Sequence, residues 1–175
     1  MPRKAKPETF ARIKGSSDLY KILDLYTPDE HSFAVLEDYL GNKNTETYWE
    51  NLELIPFTKE NFSEFFAFAK LRGMERGNAK KPKPMIVQDT YRIKQYFVPS
   101  GVCGFAWVIV KPGNCAFANF LKKENFAHKD SYNGGVNIWI HEHGQSFEQK
   151  SAHAQELAFV LRFFGIQAYS GSRLD

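Results

Sequence analysis

The apolar positions of this chain change period along its length. From Ser16 to Gly41 they recur every three or four residues. Leu19, Ile22, Leu23 and Tyr26 fall on one helical stripe behind a serine cap. Thr27-Pro28-Asp29-Glu30 then reads as an N-cap, a proline at the first helical position and a capping-box acid. Phe33, Leu36 and Leu40 line the next face, and Gly41 is a C′ stop. This spacing predicts a helical hairpin. Asn42 to Pro56 opens as a loop and continues as TYWENLELI, read as a helical turn in preference to a strand ended by Pro56. Thr58 starts a stronger helix, in which Phe62, Phe65, Phe66 and Ala69 share a stripe that Gly73 ends.

After Gly73 the helical period is lost. GMERGNAKKPKP, from Gly73 to Pro84, reads as a basic loop because Pro82 and Pro84 forbid a regular helix. Met85 to Val98 alternates as an extended strand or hairpin arm, with Tyr91, Ile93 and Phe97 on one side and Arg92, Lys94 and Tyr96 on the other. VCGFAWVIV, from Val102 to Val110, is apolar on both sides and predicts a central strand covered on both faces. Ala116 to Leu121 suggests a short amphipathic helix. Asn133-Gly134-Gly135 then introduces strict alternation. Val136, Ile138 and Ile140 point one way; Asn137, Trp139, His141 and His143 point the other. Ser146 caps a long helix with a stripe of Ala154, Leu157, Ala158 and Leu161, while Phe159 and Phe163 lie on another face. Gly165 ends it before a short strand at Ile166 to Tyr169.

The order predicts an α+β fold: N-terminal helices, then a mostly antiparallel sheet of about four strands, with a long C-terminal helix packed on one face. Residues 1–15 carry five cations against Glu8 and are expected as a basic flexible arm. Residues 16–175 are expected as a single domain with a helical part (16–72), the basic loop (73–84) and a strand-rich part (85–175).

Composition narrows the function classes without choosing one. The 175 residues are 43% hydrophobic and 25% charged, which excludes a disordered or fibrous chain. A net charge of +3 makes clustering, not total charge, the test for nucleic-acid binding. Cys103 and Cys115 form neither a disulfide framework nor a zinc spacing. No apolar run approaches the ~18 residues of a membrane span, so a cytoplasmic location with no membrane partner is expected. Walker, GxSxG, GxGxxG and CxxC signatures are all missing from the sequence.

Two stretches carry chemistry. If Lys94 and Tyr96 share a sheet face with Trp139, that face pairs cations with rings, the combination a single nucleic-acid strand needs. Arg92, Lys94, Tyr96 and Trp139, extended by Lys80, Lys81 and Lys83, are therefore the candidate nucleic-acid contacts. The second stretch is His141-x-His143, whose imidazoles could share one ion. Gly135-x5-His141-x-His143-x4-Glu148 resembles the first motif of the cupins, which bind a metal inside a β-barrel. That resemblance implies a divalent metal on His141, His143 and Glu148. It departs from the cupin pattern at Gln155, where the motif closes with glycine, and no second histidine motif follows. The strand, GQS and helix of the last third also resemble the end of a double-stranded RNA-binding domain, with only Lys150 where that family clusters lysines.

The sequence reading is thus a nucleic-acid-associated accessory protein without catalysis or cofactor, binding single-stranded DNA or RNA. The alternatives are a protein-interaction or assembly subunit, viral ones included, that binds a partner or itself, and a small metal-dependent enzyme.

Overall fold

A computed structural model describes residues 9–26, 31–43, 45–89, 91 and 94–175. The fold is mixed α+β, with antiparallel sheets and three α-helices among the described residues. The chain divides into two compact units, the boundary falling between Phe68 and Ala69.

The first unit is where the sequence misleads. The expected helical hairpin is a set of strands: β1 (Thr9–Ile13), β2 (Tyr20–Tyr26), β3 (Phe33–Glu37), β4 (Thr45–Tyr48) and β5 (Leu52–Pro56). They form an antiparallel sheet in the order β4-β3-β2-β1-β5. The cause lies in β2, where a bulge between Ile22 and Asp24 shifts the register against β3. Ile22 pairs with buried Leu36 and Leu25 with buried Ala34. The bulge thus puts two inward residues three apart and imitates a helical stripe. The Thr27 to Glu30 capping box lies outside the described residues. Gly41 does adopt φ +86, but in a turn held by Asp38, whose side chain accepts from the backbone of Leu40 and Asn42. The TYWENLELI segment is β4, a 3-10 turn and β5. Part of the expected basic arm, from Thr9 onward, is β1, at the interior of the sheet.

The inner cluster of this unit is Ala11, Ile22, Ala34, Leu36 and Leu52. On the opposite face, Phe10 meets Phe65 edge-on at 5.3 Å and Arg12 pairs with Glu64. Phe65 and Glu64 belong to α1 (Phe62–Ala79), which runs on past Gly73. The basic loop therefore starts only at Lys80. Gly73 and Gly77 are helical, because the neighbouring side chains require bare backbone there.

The second unit contains a two-stranded ribbon of β6 (Met85–Asp89) and β7 (Lys94–Val98). Its main sheet has the order β11-β8-β10-β9, from β8 (Gly104–Lys111), β9 (His128–Lys129), β10 (Val136–Trp139) and β11 (Gln167–Leu174). A short helix, α2 (Ala116–Lys123), follows β8. The long helix α3 (Phe147–Phe163) starts at Ser146, whose hydroxyl accepts from the Gln149 amide, and packs against β8 and β11. Ala154, Leu157, Ala158 and Leu161 are all buried. Among the described residues no helix is long and apolar enough to cross a membrane.

Candidate nucleic-acid interface

The four-stranded sheet is built with two unlike faces. Even-numbered positions Ala106, Val108, Val110, Val136, Ile138 and Ala168 are buried. Every odd-numbered position of β8, from Phe105 to Lys111, is only half-buried. The expectation that β8 is covered on both faces is therefore wrong. Two of its four outward side chains, Phe105 and Trp107, are large aromatics, which read as core in a sequence but here are only half-buried.

Register fixes which of them are neighbours. Trp139 lies opposite Trp107, which lies opposite Gly171. Ile109 lies opposite Asn137 on one side and Tyr169 on the other, and Phe105 opposite Arg173. Trp139 sits 5.5 Å from Trp107 and meets Phe105 edge-on at 6.0 Å. The Arg173 guanidinium stands 5.5 Å from the Phe105 ring. Gly171 makes room for this packing, since a Cβ there would come within 2.6 Å of the Trp107 indole. Trp139 and Tyr169 remain 38% and 54% exposed, so two rings of the set present area to solvent. The outward cations are Arg173 and Lys111; β8, β10 and β11 contain no carboxylate, and the acid that reaches the face is Asp130, whose Oδ2 accepts from the Asn137 side chain at 3.4 Å. Such a face attracts anions and offers flat rings to bases.

The candidate residues read from sequence divide among separate places. Trp139 belongs to this face. Lys94 and Tyr96 do not: they lie on β7, in the ribbon, which is a different sheet. The premise that they share a face with Trp139 fails because, among the described residues, β7 pairs only with β6. Arg92 lies outside the described residues. Lys80, Lys81 and Lys83 are exposed on the extended segment between α1 and β6, where the Lys83 amide donates to Glu148 Oε2 at 2.5 Å. Trp107, Phe105, Tyr169 and Arg173 were missed as site residues. Odd-numbered spacing in both FAWVIVK and QAYSGSR was the signal that could have found them.

The metal candidates are also dispersed. His141 is exposed, Glu148 is engaged by Lys83, and His143 turns inward at φ +68. Its Nε2 lies 3.0 Å from His153 Nδ1 on α3. Among the described residues no three His, Cys, Asp or Glu side chains gather as a metal site needs, and no barrel of the cupin kind surrounds them.

The His143–His153 pair is a structural feature that spacing alone did not reveal. Helix α1 lies over it through two glycines four residues apart. A Cβ at Gly73 would come within 2.4 Å of the His153 ring, and one at Gly77 within 2.3 Å of the His143 ring. Burial lowers the pKa of His153 to about 4, against the opposing pull of Glu142 and with the help of His143 and Lys70. Burial also lowers His143, again opposed by Glu142 and assisted by Lys150. Burial pushes the Glu142 carboxyl up, but backbone hydrogen bonds and the charges of His153 and Lys70 outweigh it and leave the pKa lowered. Both imidazoles are therefore neutral near pH 7, one donating to the other.

No protein-family model, curated protein or solved structure matches this chain.

Proposed function

We propose that the open face of the β9-β10-β8-β11 sheet binds single-stranded DNA or RNA without sequence specificity. Bases stack on Trp139 and Tyr169, with Trp107 and Phe105 holding Trp139 in place. Arg173 and Lys111 meet phosphates, and the exposed Lys80, Lys81 and Lys83 add a longer-range attraction. The observation that carries this reading is the contrast between the two faces: one sealed by α3, the other lined by rings and cations on strands without an acid. A single strand fits better than a duplex because paired bases keep their faces stacked and out of reach.

Anisotropy titrations of labelled oligothymidylate and oligouridylate at low salt test it. The wild type is expected to bind both, with log K falling about 0.7 for each phosphate contact per decade of salt. Trp139→Ala is expected to weaken binding about five- to hundredfold, the effect of one stacked base at ~1–3 kcal/mol. Arg173→Ala is expected to reduce the salt slope by about one contact. Absence of low-salt affinity, or affinity unchanged by Trp139→Ala, contradicts the reading.

A further inference from the structure

The first unit carries a surface of the opposite sign. The described residues between 20 and 50 hold five carboxylates and two lysines, although the whole chain is net positive. On the face of β2-β3-β4 away from the inner cluster, register aligns Tyr26, Phe33 and Tyr48 in one row across three strands. Tyr26 stacks on Phe33 at 5.6 Å and Phe33 lies 4.5 Å from Tyr48. The next row along the strands is Asp24, Val35 and Glu46. Tyr26 and Tyr48 are 37% and 43% exposed, and the Tyr26 hydroxyl donates to Glu46 at 2.9 Å. Rings followed by carboxylates repel a nucleic acid and suit a cation carried beside an aromatic side chain.

The β6-β7 ribbon has that composition. Its middle is exposed on both faces, at Ile86, Val87, Tyr96 and Phe97. An isolated two-stranded hairpin is marginal in water, so a ribbon of this kind gains from a covering partner. Register puts Tyr96 beside Val87 on the same face as Lys94, which lies opposite Asp89, the one acid against the four described cations Lys80, Lys81, Lys83 and Lys94. Lys94 and Tyr96 are two residues apart on one strand, about 7 Å. Asp24 and Tyr26, and Glu46 and Tyr48, have the same spacing and the same order along their strands. An aromatic row can therefore meet Tyr96 while the carboxylate row meets Lys94.

We propose that the ribbon of one molecule docks on the Tyr26-Phe33-Tyr48 face of a second copy, giving head-to-tail self-association. The two patches differ, so the contact is heterologous, and each added copy leaves one free face and one free ribbon. The inference is independent of nucleic-acid binding, which uses another sheet.

Sedimentation velocity over a concentration series, without nucleic acid, tests it. The wild type is expected to grow in mass with concentration at low salt and to dissociate at high salt, as screened charges require. Glu46→Lys is expected to weaken association about tenfold or more, and adding Lys94→Glu to the same chain to restore it. Tyr48→Ala and Tyr96→Ala, each impaired alone, are expected to form a 1:1 dimer when mixed, because one intact face and one intact ribbon remain. A wild type that stays monomeric at low salt, a charge swap that does not rescue, or a mixture without the dimer overturns the proposal. Oligonucleotide affinity of Glu46→Lys is expected to be unchanged, so failure of either proposal is read separately.

Discussion

Lowering the pH from about 7 to about 4.5 is expected to destabilise the fold by about 3 kcal/mol, with the His143–His153 pair as the main source. In the unfolded chain a histidine takes up its proton near pH 6.5. In the folded chain His153 does so only near 4. Between those values the unfolded state binds more protons, so stability falls as pH falls, by about 1.4 kcal/mol per unit for one such group. Above pH 6.5 both states are neutral and the penalty is absent; below about 4 it stops growing. The lowered His143 adds to the same window. The geometry gives the reason. A 3.0 Å contact between two imidazole nitrogens requires one to accept, and protonating both faces donor with donor beside Lys70 and Lys150. Glu142 is the one opposing charge and does not offset burial. Urea denaturation at a series of pH values measures this, and His153→Gln is expected to flatten the pH dependence. An equally steep dependence in that variant would assign acid sensitivity to other groups.

Replacing Gly73 by alanine is expected to destabilise the protein by about 2 kcal/mol, opposite to the usual gain of 0.5–1 kcal/mol from removing a mid-helix glycine. The added Cβ would lie 2.4 Å from His153 Cδ2, 2.8 Å from its Nε2 and 3.1 Å from its backbone oxygen. His153 is 1% exposed and held by His143, so its ring has nowhere to swing. The diagnostic measurement is a double-mutant cycle. In a His153→Ala background the same Gly73→Ala change is expected to be neutral or stabilising, because the ring that it strikes is gone. A cost that persists in that background would place the strain elsewhere.

These two cases show why a sequence reading succeeds in some segments and fails in others. The second half alternates cleanly, so the break after Val98, the strand at Val136, the Ser146 cap and the stripe of α3 were all legible. The first half contains a bulged strand, and one extra residue at Leu23 converts a period of two into an apparent period of three. Glycine was read as punctuation at Gly73 and Gly77. Their real role, four residues apart on one helical face, is close approach to two imidazoles that are distant in sequence. His143 was legible as chemistry but not as burial, since a left-handed turn after β10 takes it off the strand alternation that leaves His141 exposed. The site was half legible for a similar reason. Trp139 stood out because Asn137 and His141, two residues to either side, are polar, whereas Phe105 and Trp107 sit in an apolar run of small and branched residues. Only the position of α3 on the other face separates platform from core.

The central claim is that the odd-numbered face of the main sheet holds a single nucleic-acid strand. Ultraviolet crosslinking of the wild-type protein to oligouridylate, followed by peptide mapping, tests it directly. The account predicts crosslinked peptides containing Trp139 and Tyr169, weakened by salt and displaced by unlabelled single strands. Crosslinks confined to the Tyr26-Phe33-Tyr48 face, or none at low salt, would contradict it.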